Sequence, residues 1–259
     1  KALNSLIRGI LTLVFDLKNI RDWYQTGAGS LVSRSIEQSL CEITSCLFGY
    51  VAIEVGRAFE DCDLLKNCSI RQKVLVDRSE SADIYASPAA LPIESDCVDL
   101  FLLPHTLDFT RKPHEILREV ERCLVPEGHI VIIGFNPMSF YGLWRIFLAR
   151  KKTAPWSAEF YSLGRIRDWC SLLGFEEIDL QYVAYLPPFK RLQKWKHMQS
   201  ISTLMQKHLT SFGGVYIFVA RKRVARVTPM KKAWTARSPL LTGEVPKPTA
   251  RVTENGRHR

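Results

Sequence analysis

The sequence predicts an α/β fold built around a mostly parallel sheet, and two observations on one stretch carry that prediction. Two short apolar runs, at residues 97–103 and 129–134, flank a helical run at 113–124. A strand, a helix and a strand in this order need a right-handed crossover, so the two strands are expected to be parallel. Both runs are almost wholly apolar, as expected for strands that helices cover on both faces.

The helical run is amphipathic, with an apolar face of Ile116, Leu117, Val120 and Leu124 and a polar face of Glu115, Arg118, Glu119 and Arg122. Ligands of open parallel sheets bind outside the carboxyl ends of the strands. The residues at those ends are Pro104, His105, Thr106 and Asp108 after the first strand, and Phe135, Asn136 and Pro137 after the second. Candidate functional residues are therefore expected at these two ends.

This stretch also resembles a known family. Ala-Leu-Pro-Ile, an acidic turn, Val-Asp-Leu-Phe-Leu-Leu, the helix, Pro-Glu-Gly and a strand follow one another between residues 90 and 134. This ordered series resembles the second half of class I S-adenosylmethionine-dependent methyltransferases, within the type 11 group that acts on small molecules. The phrases at 103–107 and 134–140 are most similar to a little-characterised bacterial set in that group.

The resemblance covers about residues 49–222. It implies a Rossmann-like methyltransferase fold with a mostly parallel seven-stranded sheet, a final antiparallel strand, and S-adenosylmethionine as cofactor. Residues 1–48 show helical spacing at 3–19 and 29–48 and are expected to form an N-terminal helical cap. Between these runs, Trp23 and Tyr24 could contact a substrate, but packing on the main domain is the preferred interpretation.

Residues 49–56 are expected to form the first strand, with a helix at 57–65 behind it. The family ends this strand with an acidic residue and several glycines, because a Cβ would collide with the cofactor. Glu54 and Gly56 match, and Glu54 is expected to bind the cofactor's amino group directly or through water. Arg57, Ala58 and Phe59 stand where further glycines are usual.

Asp77 follows the second expected strand, at 70–76, and lies about twenty residues beyond the first glycine, where an acid binds ribose hydroxyls in dinucleotide sites. The alternative is that Asp77 only begins a polar turn. The next strand is expected at 83–86, which leaves almost no room for a helix. The second crossover is therefore expected to be shortened.

Ser87 stands where the family usually has an aspartate that contacts the adenine amino group. A hydroxyl can accept that hydrogen bond without charge assistance, so the contact is expected to be weaker. Pro88 and Leu91 are expected to shape the adenine pocket, and Pro104 and His105 to border the cofactor. The alternative for this segment is a turn that ends a strand and binds nothing.

Methyl transfer from a sulfonium is an in-line displacement that needs no metal, and a base within hydrogen-bonding reach helps when the acceptor must lose a proton. His105 is the first candidate base, since its ordinary pKa is about 6.5. Asp108 is the second. The alternative is that His105 is a structural hydrogen-bonding group, and Asn136 could orient a substrate or cap the next helix.

Helices are expected at 138–152 and 162–173, and an antiparallel strand pair at 175–185 and 215–221. The insertion at 187–214 carries apolar residues every three or four positions among lysines and arginines. Packing of one face on the domain is preferred over binding to a membrane or nucleic acid, and the insertion would overhang the substrate side as a lid.

The formal charge of +10 is concentrated in the tail at 223–259, which is expected to be disordered. Attraction to nucleic acid or acidic lipid is open there, and a solubilising tail is slightly preferred. The most apolar run, at 3–17, carries Arg8 and Asp16 and is too short to span a membrane. The seven cysteines include no Cys-x-x-Cys pair, which favours free thiols in a reducing cytoplasm over disulfides or metal ligation.

These observations predict a cytoplasmic S-adenosylmethionine-dependent methyltransferase with a small-molecule acceptor and no metal. The alternative from another class is a non-catalytic scaffold that binds a partner or nucleic acid through its basic tail, which Arg57, Phe59 and Ser87 motivate. A methyltransferase acting on RNA or another polyanion is a third hypothesis. No phosphate-binding Gly-Lys-Ser/Thr loop, Gly-x-Ser-x-Gly elbow or complete Gly-x-Gly-x-x-Gly is found in the sequence.

Overall fold

The computed structural model describes residues 18–59, 63–148, 153–185 and 210–223. Residues 1–17 of the predicted cap, most of the predicted insertion at 187–214, and all but Arg223 of the predicted tail lie outside the described residues. The unit that contains the sheet ends at Val224.

Seven strands form one sheet in the order β3-β2-β1-β4-β5-β7-β6. Their bounds are Val51–Val55 (β1), Gln72–Asp77 (β2), Ile84–Tyr85 (β3), Val98–Pro104 (β4), Leu124–Phe135 (β5), Phe175–Val183 (β6) and Val215–Lys222 (β7). The first five strands are parallel, and β7 pairs antiparallel with both β5 and β6. The predicted mostly parallel seven-stranded sheet with a final antiparallel strand is confirmed.

Five helical segments surround this sheet. They are residues 18–24 (α1), Gly27–Ser45 (α2), Pro113–Cys123 (α3), Phe140–Leu148 (α4) and Leu163–Leu172 (α5), and a short 3-10 turn spans Thr210–Phe212. α3 joins β4 to β5 and buries Ile116, Leu117 and Val120, as its apolar stripe predicted. The predicted helix at 29–48 begins earlier and ends earlier than expected.

The sheet separates two hydrophobic layers. α1 and α2 pack on one face through Ile20, Ile36 and Leu40. α3 and α5 pack on the other face, where Ile116 and Ile166 are buried. Side chains alternate between the two layers along each strand, so central strands such as β4 are apolar throughout.

One predicted helix is not found in the described residues. We expected a helix at 57–65, but the described residues between β1 and β2 form only bends and turns. The backbone N–H of Lys66 donates to the Asp63 carbonyl, and that of Cys68 donates to the Leu65 carbonyl, in single turns that do not continue. The predicted shortening of the next crossover is confirmed, because residues 78–83 contain no helix.

The turn between α1 and α2 places the cap's aromatic residues. Thr26 caps α2 by accepting a hydrogen bond from the N–H of Gly29 (3.3 Å). A Cβ on Gly29 would collide with the backbone of Trp23 and Tyr24, so the two helices come close together here because residue 29 is glycine. Trp23 and Tyr24 therefore lie against the sheet domain.

No helix among the described ranges is long and apolar enough to cross a membrane. The six cysteines within those ranges are free, and three of them, Cys68, Cys123 and Cys170, are buried. Cys97, which we expected within an apolar strand pattern, is exposed and donates to the Glu94 carbonyl (3.0 Å) just before β4 begins.

Candidate functional site

The carboxyl ends of β1, β2, β4 and β5 meet at one edge of the sheet, hereafter the carboxyl edge. Parallel pairing brings Val55 of β1 level with Val76 of β2, and Pro104 of β4 level with Ile133 of β5. Four predicted site residues lie at these strand ends: Asp77 is the last residue of β2, Gly56 and His105 directly follow β1 and β4, and Asp108 comes three residues after His105. The topology thus brings together residues that are far apart in sequence.

His105 and Asp108 form a buried pair at this edge. His105 Nδ1 lies 2.9 Å from Asp108 Oδ2, and the side chains are 0% and 1% exposed. The same carboxylate oxygen accepts a hydrogen bond from the backbone N–H of Phe135 at the end of β5 (3.0 Å). Because that oxygen acts as an acceptor, His105 Nδ1 is assigned as the donor, which leaves Nε2 of the neutral ring as an acceptor.

The Tyr24 hydroxyl, from α1, forms a hydrogen bond with that second ring nitrogen. Its hydroxyl lies 2.6 Å from His105 Nε2, and with the assigned tautomer the phenol donates to the imidazole. A chain of hydrogen bonds therefore runs from Tyr24 through His105 to Asp108 and on to the backbone of β5. The sequence showed only aromatic residues before a glycine-containing turn, and did not identify this contact across 81 positions.

Aromatic rings enclose this chain. The Phe135 ring stacks on the His105 ring with centroids 4.2 Å apart, and the Phe59 ring lies 4.3 Å from Tyr24 and 6.3 Å from His105. Phe59 is 2% exposed. Both nitrogens of His105 are bonded within the protein, so the predicted base does not face solvent in this arrangement.

Burial shifts the pKa values of two groups in this series of hydrogen bonds. It raises the pKa of Asp108, while the hydrogen bond from His105 and the one from the Phe135 N–H act in the opposite direction. Burial also raises the pKa of Tyr24 well above its ordinary range. The phenol therefore keeps its proton at neutral pH, consistent with its role as donor to His105.

The carboxyl end of β1 is hydrogen-bonded to both neighbouring strand ends. Gly56 adopts φ +82°, which glycine tolerates without strain, and its N–H donates to the Val76 carbonyl (2.8 Å). The Thr106 hydroxyl donates to the Val55 carbonyl across the gap. Ala58 is fully buried beside Phe59 in the hydrophobic layer. The Thr106 hydrogen bond joins the ends of β1 and β4, and the Gly56 hydrogen bond joins the ends of β1 and β2.

The residues predicted for the nucleoside lie further along the edge. Asp77 is 6% exposed, and its Oδ1 accepts from the N–H of Arg78 (2.8 Å). Ser87 is half-buried and pairs with Ala90 in an isolated bridge, while Pro88 and Leu91 are buried beside it. Leu91 is held by Glu119, which accepts from its N–H (3.2 Å).

Glu54 faces a different space. It lines a cavity of about 180 Å³ on the α2 face of the sheet, together with Arg57, Asp63, Leu65, Lys73, Val74, Leu75 and Asp83. This cavity lies beside the segment at 57–65, whose described residues form no helix. The pKa of Glu54 is raised to about 8, chiefly by burial; the charge of Arg57 acts in the opposite direction, and the charges of Asp63 and Asp77 add to the rise.

Asn136 and Pro104 have structural contacts. Asn136 Nδ2 donates to the carbonyls of Ser211 (2.8 Å) and Gly213 (2.9 Å), and Oδ1 accepts from the N–H of Met138. The helix cap is instead Ser139, whose hydroxyl accepts from the N–H groups of Tyr141 and Gly142. Pro104 is buried as the last residue of β4.

The cofactor implied by the resemblance has a nucleoside half and a methionine half, and the carboxyl edge fits only the first. Asp77 and the half-exposed Ser87 offer acceptors for hydroxyl and amino groups beside the apolar Pro88 and Leu91. At the other end, the Phe59 and Tyr24 rings lie against His105, where further glycines would leave room. In this closed arrangement the methionine half does not fit.

Two sequence comparisons show related proteins. A family model described as "Methyltransferase domain" matches residues 49–132. The uncharacterised protein YafS of Escherichia coli is 31% identical over 214 residues, a match that covers 82% of this chain and 85% of YafS.

Solved structures show the same fold. A SAM-dependent methyltransferase from Thermotoga maritima superposes with a TM-score of 0.55 at 17% identity, over 78% of this chain and 94% of that one. A SAM-dependent methyltransferase from Archaeoglobus fulgidus gives 0.52 at 14% identity, over 78% and 97% of the two chains. At these identities the likeness concerns the fold.

Proposed function

This chain belongs to the class I S-adenosylmethionine-dependent methyltransferases, in the type 11 group, and from that membership we propose that it methylates a small-molecule acceptor in the cytoplasm. S-adenosylmethionine would supply the methyl group. The free thiols of the described cysteines are consistent with a reducing compartment. The proposal extends the family's chemistry to this chain's own residues.

One observation supports the proposal most directly. Gly56 and His105 follow β1 and β4, and Asp77 ends β2, at one edge of a sheet with the order β3-β2-β1-β4-β5-β7-β6. Open α/β sheets bind ligands in the crevice at this edge, where the strand order reverses. In this chain the reversal lies between β1 and β4, next to Gly56 and His105.

We assign the following roles to the chain's residues. Asp77 would accept hydrogen bonds from ribose hydroxyls, and Ser87 from the adenine amino group, between Pro88 and Leu91. His105 would act as base once its Nε2 is free, with Asp108 holding the ring through Nδ1. Freeing Nε2 requires the Tyr24 hydroxyl to leave it, because the two atoms are 2.6 Å apart in the closed arrangement.

Thermal unfolding with and without S-adenosylhomocysteine tests the proposal. Ligand at a hundredfold its Kd adds about 2.7 kcal/mol to stability, which for a chain of this size raises Tm by about 5–10 °C. Asp77→Asn should reduce the shift, since one ribose acceptor becomes an amide. Asp168→Asn, on the exposed face of α5, should leave the shift unchanged. No shift at millimolar ligand would reject cofactor binding by this chain.

A second candidate function, a non-catalytic scaffold, is favoured by one specific observation. Phe59 is 2% exposed and lies against Tyr24 at the place where the family needs a glycine-lined gap. If the chain is a scaffold, wild type should not bind S-adenosylhomocysteine, and Phe59→Gly should create binding by removing the ring. If it is an enzyme, wild type should already bind, with tight enough affinity to shift Tm.

A further inference from the structure

Two cysteines lie side by side at the amino-terminal end of β4. Cys97 directly precedes this strand, and Cys123 is the last residue of α3. The backbone N–H of Cys97 donates to the Cys123 carbonyl (2.9 Å), one step before the paired residues Val98 and Leu124. The two segments therefore run next to each other here, at the opposite end of β4 from the carboxyl edge.

Both thiols turn toward the same short loop. Cys97 Sγ lies 3.0 Å from the Glu94 carbonyl oxygen, and Cys123 Sγ lies 3.8 Å from the Ile93 carbonyl oxygen. Arg122 holds this loop in place, because its guanidinium also donates to the Ile93 carbonyl (2.9 Å). Since the two carbonyls belong to consecutive residues, both sulfur atoms point into one small region.

The spacing and the exposure of the two cysteines suit a disulfide that forms from solution. Neighbouring strands lie about 4.7–4.9 Å apart, and the Cα atoms of a disulfide usually lie about 4.4–6.8 Å apart. Cys97 is exposed, whereas Cys123 is 0% exposed. A reagent in solution can therefore reach the first sulfur but not the second.

We propose that Cys97 and Cys123 form a reversible disulfide by exchange with a small disulfide such as oxidised glutathione. The Cys97 thiolate attacks one sulfur of the small disulfide, which forms a mixed disulfide and releases one small thiolate. The Cys123 thiolate then attacks the Cys97 sulfur, which forms the internal disulfide and releases the second small thiolate. The released thiolates take up the two protons that the protein thiols lose. Two protein thiols are thus oxidised, and one small disulfide is reduced to two thiols.

The surroundings of the pair favour thiols over thiolates. Burial raises the pKa of both thiols, and the charge of Glu94 adds to the rise at Cys97, while that of Arg122 acts in the opposite direction at both. The charged groups that act on the pair are Glu94, Asp96, Asp99, Glu119, Arg122 and Lys222. Because the thiolate is the attacking form, exchange should be slow at neutral pH and about tenfold faster for each pH unit below the thiol pKa values.

The disulfide would link the end of α3 to the start of β4 and close a loop that contains both elements. Lys222 already ties the end of β7 to the same corner, where its Nζ pairs with Asp96 (3.0 Å) and donates to the Leu124 carbonyl (2.9 Å). Closing this loop should stabilise the folded chain without obstructing the carboxyl edge. The proposal does not depend on methyl transfer.

Treatment of the full chain with oxidised glutathione at mildly alkaline pH, followed by peptide mass spectrometry, tests the proposal. Wild type should yield a peptide pair linked through Cys97 and Cys123, and dithiothreitol should remove the link. Cys123→Ala should stop at glutathione bound to Cys97, because the second attacking thiol is missing. Cys97→Ser should leave Cys123 unmodified, since the buried sulfur is not reached from solution.

Cys46→Ser is the matched control, because Cys46 is an exposed cysteine at the end of α2. It should leave the link between Cys97 and Cys123 unchanged. Oxidation should raise the Tm of the wild type by about 5 °C or more and should not raise that of Cys123→Ala. A wild type that keeps glutathione on Cys97, or in which the two cysteines stay unlinked, would overturn the proposal.

Discussion

Along its strand order the sheet has two halves, here called sides, and helices cover one of them more fully than the other. On the dense side, formed by β4, β5 and β7, every residue of β4 except Asp99 is buried. On the thin side, formed by β2 and β3, Gln72 and Lys73 are exposed and Tyr85 is 74% exposed. A full crossover helix, α3, connects strands of the dense side, whereas no helix occurs in the described residues on either side of β2.

This difference locates the departures from the family. The ordered motifs that carry the resemblance run through β4, α3 and β5 on the dense side. The residues that depart from it, Arg57, Ala58 and Phe59, follow β1, where the thin side begins. The described residues after β1 therefore lack both the expected helix and the further glycines that the resemblance implies there.

The largest effect is expected when the same change, Leu→Ala, is made on each of the two sides. Leu102→Ala on β4 should reduce the free energy of unfolding by about 3–5 kcal/mol, because Leu102 is fully buried and the cavity cannot collapse. Leu75→Ala on β2 should cost about 1 kcal/mol or less, since Leu75 is half-buried beside an existing cavity. Urea unfolding of both variants measures the difference, and equal costs would contradict the distinction between the sides.

Asp108→Ala should cost about 3 kcal/mol. The change leaves the Phe135 N–H and His105 Nδ1 without their acceptor in a dry environment. Asp108→Asn is the control, because its amide oxygen can replace one acceptor and should reduce the cost. Guanidinium unfolding measures both variants. A cost below 1 kcal/mol for the alanine variant would mean that this end of the dense side is open to water.

The free energy of unfolding should fall as pH rises, because of Glu54 in β1, the strand that borders the thin side. The pKa of Glu54 is raised from its ordinary value of 4.5 to about 8, so the folded state holds the proton more tightly than the unfolded chain. Its contribution is fully present below about pH 4.5 and is lost as pH rises through about 8. Glu54→Gln should remove this fall, which we expect to be about 2 kcal/mol after solvent screening. The difference in Tm between the wild type and Glu54→Gln should therefore change between about pH 4.5 and 8. A difference that stays constant over this range would contradict the raised pKa.

Tyr24→Phe should have the smallest effect, about 1 kcal/mol, because it removes one hydrogen bond to His105 and keeps the ring. Tyr50→Phe, at a tyrosine that is 78% exposed, should change nothing measurable. Chemical denaturation compares the two. If Tyr24→Phe matches Tyr50→Phe, the cap does not stabilise the carboxyl edge through this bond.

The sequence predicted the dense side well. Apolar runs flanking an amphipathic helix have few alternative arrangements, so the parallel β4 and β5 and the stripe of Ile116, Leu117 and Val120 were expected and observed. The short crossover after β2 was also expected, because too few residues separate it from β3. Chain length and periodicity decide such features.

The thin side and the contacts of the site were harder to predict. The apolar pattern of Ala58, Phe59, Leu64 and Leu65 is compatible with a helix, but these residues reach the core from an irregular segment, which periodicity alone does not distinguish. The contact between Tyr24 and His105 joins two elements that only tertiary packing brings together. Strand ends therefore predicted where His105 lies, but not what covers it.

The end of β7 is fixed to the rest of the sheet domain by its last residues. Lys222 reaches under α3, where its ammonium donates to the carbonyls of Glu121 (2.7 Å) and Leu124 (2.9 Å) and pairs with Asp96. Arg223 still donates its N–H to the Gly174 carbonyl (2.9 Å). A stop codon after Arg223 would keep all of these bonds. A stop codon after Arg221 would remove Lys222 and Arg223, and the carbonyls at the C-terminal end of α3 would lose their donor.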